Sequence, residues 1–114
     1  MGKREAVGRD MKTLADAVKE LPYNEFVVLL LDAERDLEHR IIQRLVKLWT
    51  NGDDELAYEI SKLETALNLA IKTRLQLEAA YKIGKQAYCT IAELMQEPLR
   101  KIDRALRGYP LVEA

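Results

Sequence analysis

The sequence has little of what most catalytic and secreted proteins depend on. Its 114 residues include one cysteine, Cys89, and one histidine, His39. A lone cysteine cannot form an intramolecular disulfide, so the chain does not resemble a small disulfide-stabilised secreted domain. It also has no nucleophile with a recognisable partner base and no glycine-rich phosphate-binding loop. We therefore expect a protein that is not an enzyme and that binds no cofactor.

The histidine lies in an acidic stretch, Asp32–His39, which superficially resembles the metal-binding helices of di-iron bundles. Those sites need a Glu-x-x-His pair on each of two helices. Asp36 lies three residues before His39, but the second long helix of this chain has no histidine. We interpret the stretch as a solvated charged face and predict no metal site. The pattern assigns no role to His39 or Cys89.

Long apolar runs and an excess of one charge are also missing. The longest apolar run, Phe26–Leu31, is far shorter than the roughly 20 residues that span a bilayer, and residues 1–10 are too charged for a signal peptide. We expect a soluble cytoplasmic protein with no membrane partner.

The net charge of −1 argues against coating nucleic acid by bulk charge. Local basic clusters are either solvated faces or candidate nucleic-acid contacts: Lys3, Arg4, Arg9, Arg100, Lys101, Arg104 and Arg107.

Helical periodicity is what the sequence has in abundance. Over 23–49 and again over 54–83, apolar residues recur every three or four positions, which places them on one side of a helix. Asn51-Gly52 can adopt the left-handed conformation that ends a helix, and Asp53 can cap the next one. Because these stop and start signals are adjacent, the two helices are predicted to form a long antiparallel hairpin.

Shorter helices are predicted on either side of the hairpin, at about 10–21, 85–97 and 98–107, with boundaries at Pro22, Gly84 and Pro98. A content of 48% apolar and 32% charged residues suits one helical domain over 1–114. The fold class is therefore predicted as all-α, a bundle of four to five helices built on the hairpin. Asparagine and glutamine are few, a balance found in proteins of thermophiles.

The second long helix has an apolar arc too wide for one neighbour to cover. We therefore predict that the protein associates, with itself or with other protein subunits. Arg74 lies in the apolar seam and needs a partner there, for which a structural ion pair is favoured over a ligand contact. Trp49 and Tyr81 are interpreted as core or interface anchors rather than nucleotide-stacking groups. The predicted interface comprises Leu67, Ile71, Arg74, Leu75, Tyr81 and Trp49.

One family resembles this order of elements. The segment Leu21–Phe26, a long helix, a short acidic break, a second long helix that carries Glu64 and Arg74, and a short helix after Thr90 are similar to the helical domain of GINS subunits. The resemblance covers most of residues 10–107. It implies a non-catalytic scaffold of the replicative helicase, which acts in DNA replication as part of a tetramer.

Two alternatives share the same size and composition. Small subunits of archaeal CRISPR effector complexes are compact helical proteins that line a nucleic-acid groove, and a clustered basic surface would favour them. A helical coat or packaging protein of an archaeal virus is the other alternative. The hypothesis from sequence is a non-enzymatic helical scaffold or adaptor subunit, in an assembly that handles nucleic acid.

Overall fold

The computed structural model describes residues 13–107. They form five α-helices: α1 (Leu14–Glu20), α2 (Tyr23–Asn51), α3 (Asp54–Ile83), α4 (Lys85–Leu94) and α5 (Gln96–Arg107). No strand occurs in this part of the chain, and the predicted all-α bundle on a long antiparallel hairpin is confirmed. None of the helices described is both long enough and apolar enough to cross a lipid bilayer.

The hairpin turn forms as the sequence predicts. Gly52 takes a left-handed conformation with φ 64°, and its N–H donates to the Leu48 carbonyl at 2.7 Å. This conformation ends α2 and is one that glycine adopts without a steric penalty. Asp53 then caps α3, because its carboxylate accepts the Glu55 N–H at 3.0 Å. Helix α2 continues to Asn51, two residues beyond the predicted end.

The last predicted boundary is wrong. The chain bends at Met95, between α4 and α5, and not at Glu97-Pro98. Pro98 lies in the first turn of α5, where a backbone N–H has no acceptor within the helix, so proline is tolerated there. At the other end of the chain, α1 begins at Leu14 after the cap residue Thr13, and the predicted start at residue 10 lies outside the described residues.

The helices form two layers, which fits the shortest dimension of 18 Å. The hairpin is one layer. Helices α4 and α5 both pack mainly on α3, while α1 packs on α5 and reaches α2. Small side chains on α3, such as Ala66, Ala70 and Thr73, allow the neighbouring helices to approach closely. The large side chains that are almost completely buried are Phe26, Leu30, Leu37, Leu63, Leu77, Leu99 and Ile102.

Asp103, a buried residue of α5, holds the start of α1. Its carboxylate accepts the N–H of Leu14 at 2.8 Å and the N–H of Ala15 at 3.2 Å. The Thr13 hydroxyl accepts the next N–H, from Asp16, at 3.0 Å. The first N–H groups of a helix have no partner within it, so these three bonds satisfy them. A seven-residue helix is too short to form alone, and α1 therefore depends on α5.

Candidate interaction surfaces

The side of the hairpin that faces away from α5 carries the predicted interface residues of α3. Leu69 lines a groove between α3 and α5, so it marks the side of α3 that faces α5. Ile71 lies about 200° further around the helix and is therefore on the opposite side. Leu67 and Ile71 are half-buried, and Leu75, which continues the same row, is 51% exposed. We refer to this side of α2 and α3 as the outer face. The three leucine and isoleucine side chains thus lie together, at the edge of the core rather than inside it.

An ion pair crosses the outer face. Arg74 donates two hydrogen bonds to the Glu34 carboxylate, one of them from Nη2 to Oε1 at 3.2 Å. The hydrogen bond to Glu34 raises the pKa of Arg74, despite the opposing effect of burial. The prediction that Arg74 forms a structural ion pair is confirmed, and the pair joins α2 to α3. Arg44 and Glu59 form a second bridge between the same helices, at 3.1 Å.

Helix α2 has a second row of apolar side chains that the sequence analysis did not single out. Trp49, the one member predicted as an interface residue, is 89% exposed. Its members recur at three-and-four spacing near each end of the helix, on the side opposite the core row, and that spacing is the signal that was available in the sequence. We call it the outer α2 row; its exposed apolar members are Val28, Leu31, Ile42, Val46 and Trp49.

A basic groove of about 580 Å³ lies between α3 and α5. Lys101 and Arg104, both predicted as nucleic-acid contacts, line it from α5. Lys62 joins them from α3 and lies 5.1 Å from the centre of the Tyr58 ring. Lys62 was not predicted, because no pattern in the sequence shows that it faces α5. No acidic side chain lines the groove in the part of the chain that the structure describes.

Arg100, another predicted basic contact, does not line this groove. Arg100 is exposed and lies 3.8 Å from Glu97 in a weak surface pair. Lys3, Arg4 and Arg9 lie outside the described residues, as does the side chain of Arg107, the last residue of α5.

Three tyrosines form an aromatic cluster at the other end of the hairpin. The rings of Tyr23 and Tyr81 stack with their centres 4.3 Å apart, and Tyr88 meets both rings edge-on at 5.6 and 5.9 Å. Edge-on and offset contacts of this kind stabilise packed aromatic groups. Tyr81, a predicted interface residue, is therefore held by contacts within the chain, while half of its surface stays exposed.

The Tyr88 hydroxyl should make stability depend on pH in alkaline solution. Burial, followed by the nearby Tyr23 and Cys89, raises the pKa of Tyr88 to about 12. An unfolded tyrosine loses its proton near pH 10, so the folded state holds this proton more tightly. The stabilisation is complete below about pH 10 and is lost as the pH rises to about 12.

Denaturant titrations across this range measure the effect, with Tyr88→Phe as the matched control. We expect the wild type to lose more unfolding free energy than the variant between those pH values, because only the wild type has the buried hydroxyl. Equal losses in the two proteins would contradict the assignment.

Metal-binding geometry is absent from residues 13–107, where no three His, Cys, Asp or Glu side chains are grouped to hold an ion. His39 and Cys89 are both exposed. Comparison of the chain with protein-family models, curated proteins and solved structures found no match. The function must therefore be inferred from the outer α2 row, the basic groove and the tyrosine cluster.

Proposed function

We propose that the protein is a non-enzymatic scaffold subunit of a cytoplasmic assembly, and that its outer α2 row packs against the same row of a second copy. The observation that carries the proposal is the row itself. It exposes Ile42, Val46 and Trp49 on a helix whose opposite side is already buried in the core. Large apolar side chains grouped on one surface typically mark an interface, since their burial is favourable by roughly 25 cal/mol per Å².

The spacing of the row supports a second copy as the partner. Val28 and Trp49 lie at equal distances along the helix from the Glu38–His39 bond, and so do Leu31 and Val46. A two-fold axis through that bond would set two antiparallel α2 helices together, with these two apolar pairs opposite each other and Ile42 opposite Arg35. At the centre, Glu38 of each copy would face His39 of the other.

Multi-angle light scattering tests the association. We expect the wild type to have the mass of a dimer, and Ile42→Glu/Val46→Glu to have the mass of a monomer with unchanged helical content, because both side chains are exposed in the single copy. Leu94→Glu is the control: it places one such charge at an exposed apolar position of α4 and should remain dimeric. A monomeric wild type would refute the second copy and leave another protein as the partner.

Cross-linking tests the two-fold axis. In a Cys89→Ser background, Glu38→Cys should cross-link to itself, since the two residues 38 lie next to the axis. Val28→Cys alone should not, because its two copies would be roughly 30 Å apart at 1.5 Å per residue. Mixing Val28→Cys with Trp49→Cys should restore the cross-link. Efficient self-cross-linking of Val28→Cys would contradict the antiparallel arrangement.

The basic groove favours a second function, the binding of nucleic acid along its phosphate backbone. Lys62, Lys101 and Arg104 converge there from two helices, and Ser61 and Thr65 line the groove as well. Lysine, arginine and hydroxyl groups are the usual phosphate contacts of proteins. In this case the protein would lie along a nucleic-acid strand within a larger complex. A CRISPR effector complex fits that arrangement, whereas the resemblance to GINS subunits supports a DNA replication complex.

Fluorescence anisotropy with a labelled single-stranded oligonucleotide tests this second function. We expect Lys101→Gln/Arg104→Gln to weaken binding and to reduce the dependence of log affinity on log salt by about 1 for each contact removed. Lys72→Gln is the control, because Lys72 is exposed on α3 but does not line the groove. Equal affinity and equal salt dependence in all three proteins would exclude the groove as the binding site.

A further inference from the structure

A cavity of about 940 Å³ lies beside the tyrosine cluster, at the opposite end of the hairpin from the turn. It is lined by all three tyrosine rings, by the end of α1 and by the first turns of α2 and α4. Its volume is in the range of sites for small organic ligands, which are mostly apolar with a few placed polar groups. Tyr81, one of the lining residues, has half of its surface exposed, and one face of its ring is already stacked on Tyr23.

The charge around this cavity favours an anion. Lys19, Lys82 and Lys85 line it, against one lining carboxylate, Glu93. Lys82 is partly neutralised by Glu78 at 3.7 Å, whereas no carboxylate lies within ion-pair distance of Lys19 or Lys85 among the described residues. The cations come from α1, α3 and α4, so they converge only in the folded chain.

Two helices begin at the cavity, and neither has a side-chain cap. Pro22 precedes α2 and Gly84 precedes α4, and neither residue has a side chain that can accept an N–H. In contrast, Thr13 caps α1 and Asp53 caps α3. The free N–H groups and the dipole at a helix start attract anions, so both ends add positive potential to that of the lysines.

One residue that lines the cavity, Tyr88, has an unsatisfied polar group. Among the described residues, the Tyr88 hydroxyl is the one buried side-chain oxygen or nitrogen without a hydrogen-bond partner, and Tyr88 is 8% exposed. Such a group is costly to leave unpaired, and in a native protein it calls for an explanation. The oxygen itself has no appreciable accessible surface, so a polar ligand in the cavity could provide the missing partner only after the ring moved.

We infer that this cavity binds a nucleotide unit, with the base against the tyrosine rings and the phosphate towards Lys19, Lys85 and the starts of α2 and α4. The rings suit a base because stacking on aromatic side chains is favourable for every base. The cations and helix starts suit phosphate. The nucleotide can be free or part of a strand, since both present the same chemistry to the cavity.

Titration of the full chain with adenosine monophosphate, adenosine and inorganic phosphate, followed by backbone amide chemical shifts, tests the inference. We expect adenosine monophosphate to shift the amides of Asn24, Gln86 and Ala87, and to bind at least about tenfold tighter than either part alone. Lys19→Gln/Lys85→Gln should lose at least about tenfold in affinity. Lys47→Gln/Lys72→Gln, at two exposed lysines that line neither this cavity nor the basic groove, should change it less than about twofold.

Other results of these titrations would also support or overturn nucleotide binding in the cavity. Absence of shifts at these amides, or equal affinity in the two double variants, would overturn the inference. If phosphate bound as tightly as the mononucleotide, the rings would make no contribution and the nucleotide assignment would be wrong. A short oligonucleotide that binds tighter than adenosine monophosphate, and loses affinity in Lys19→Gln/Lys85→Gln, would support the inference and place the nucleotide within a strand.

Discussion

Leu63→Ala is expected to lower the free energy of unfolding by about 3 kcal/mol, within the usual range for removing a fully buried leucine side chain. Leu63 has no exposed surface and belongs to the cluster of buried side chains that joins the two layers. The loss combines the transfer of the removed carbons with the cavity that they leave. Urea denaturation followed by circular dichroism measures it, through a lower midpoint at an unchanged slope.

Leu94→Ala provides the matched control, because it removes the same carbons from a side chain that is 63% exposed. Its cost should stay within about 0.5 kcal/mol, as for most surface substitutions. If both variants lost the same free energy, Leu63 would not occupy the core position that the structure gives it, and the packing of α3 would be wrong.

Asp103→Ala is expected to cost about 3 kcal/mol, because it leaves two buried N–H groups of α1 without their charged acceptor. The variant also removes a negative charge from the start of that helix, where it is favourable. We expect α1 to loosen first. Amide hydrogen exchange should therefore accelerate at Leu14 and Ala15 more than at residues in the middle of α2 or α3.

Two further variants separate the contributions to this cap. Thr13→Ala removes an exposed cap bond to Asp16 and should cost about 1 kcal/mol. Asp103→Asn keeps an acceptor oxygen but not the charge. Its cost in unfolding free energy should lie between those of Thr13→Ala and Asp103→Ala. If Asp103→Ala were no more destabilising than Thr13→Ala, the link from α5 to α1 would contribute little to stability.

Much of the fold could be predicted because its signals are local. Helix spacing depends on residues three or four apart, and the turn at Gly52 and Asp53 depends on its own backbone and side chains. The break near Pro98 was misplaced because proline is compatible with the first turn of a helix as well as with its end. The competing position, Met95, carries no comparable signal in the sequence.

The candidate sites were less predictable, since each joins residues that are far apart in the chain. Lys101 and Arg104 could be named as a basic cluster, but their convergence with Lys62 depends on how α5 is rotated against α3. Tyr81 was predicted as an interface anchor without its neighbours Tyr23 and Tyr88. The outer α2 row was visible as spacing, but which of two apolar rows is buried depends on where the other helices pack.

The sequence by itself determined the class of this protein: an all-helical hairpin with a capped turn, without the residues for a disulfide framework. These features follow from the preferences of single residues and from contacts within one or two helical turns. Only the tertiary structure decided that Asp103 holds α1, that three cations share a groove and that three tyrosines border a cavity with uncapped helix starts. The physical reason is that such sites depend on the relative rotation and offset of packed helices, which the whole core determines together.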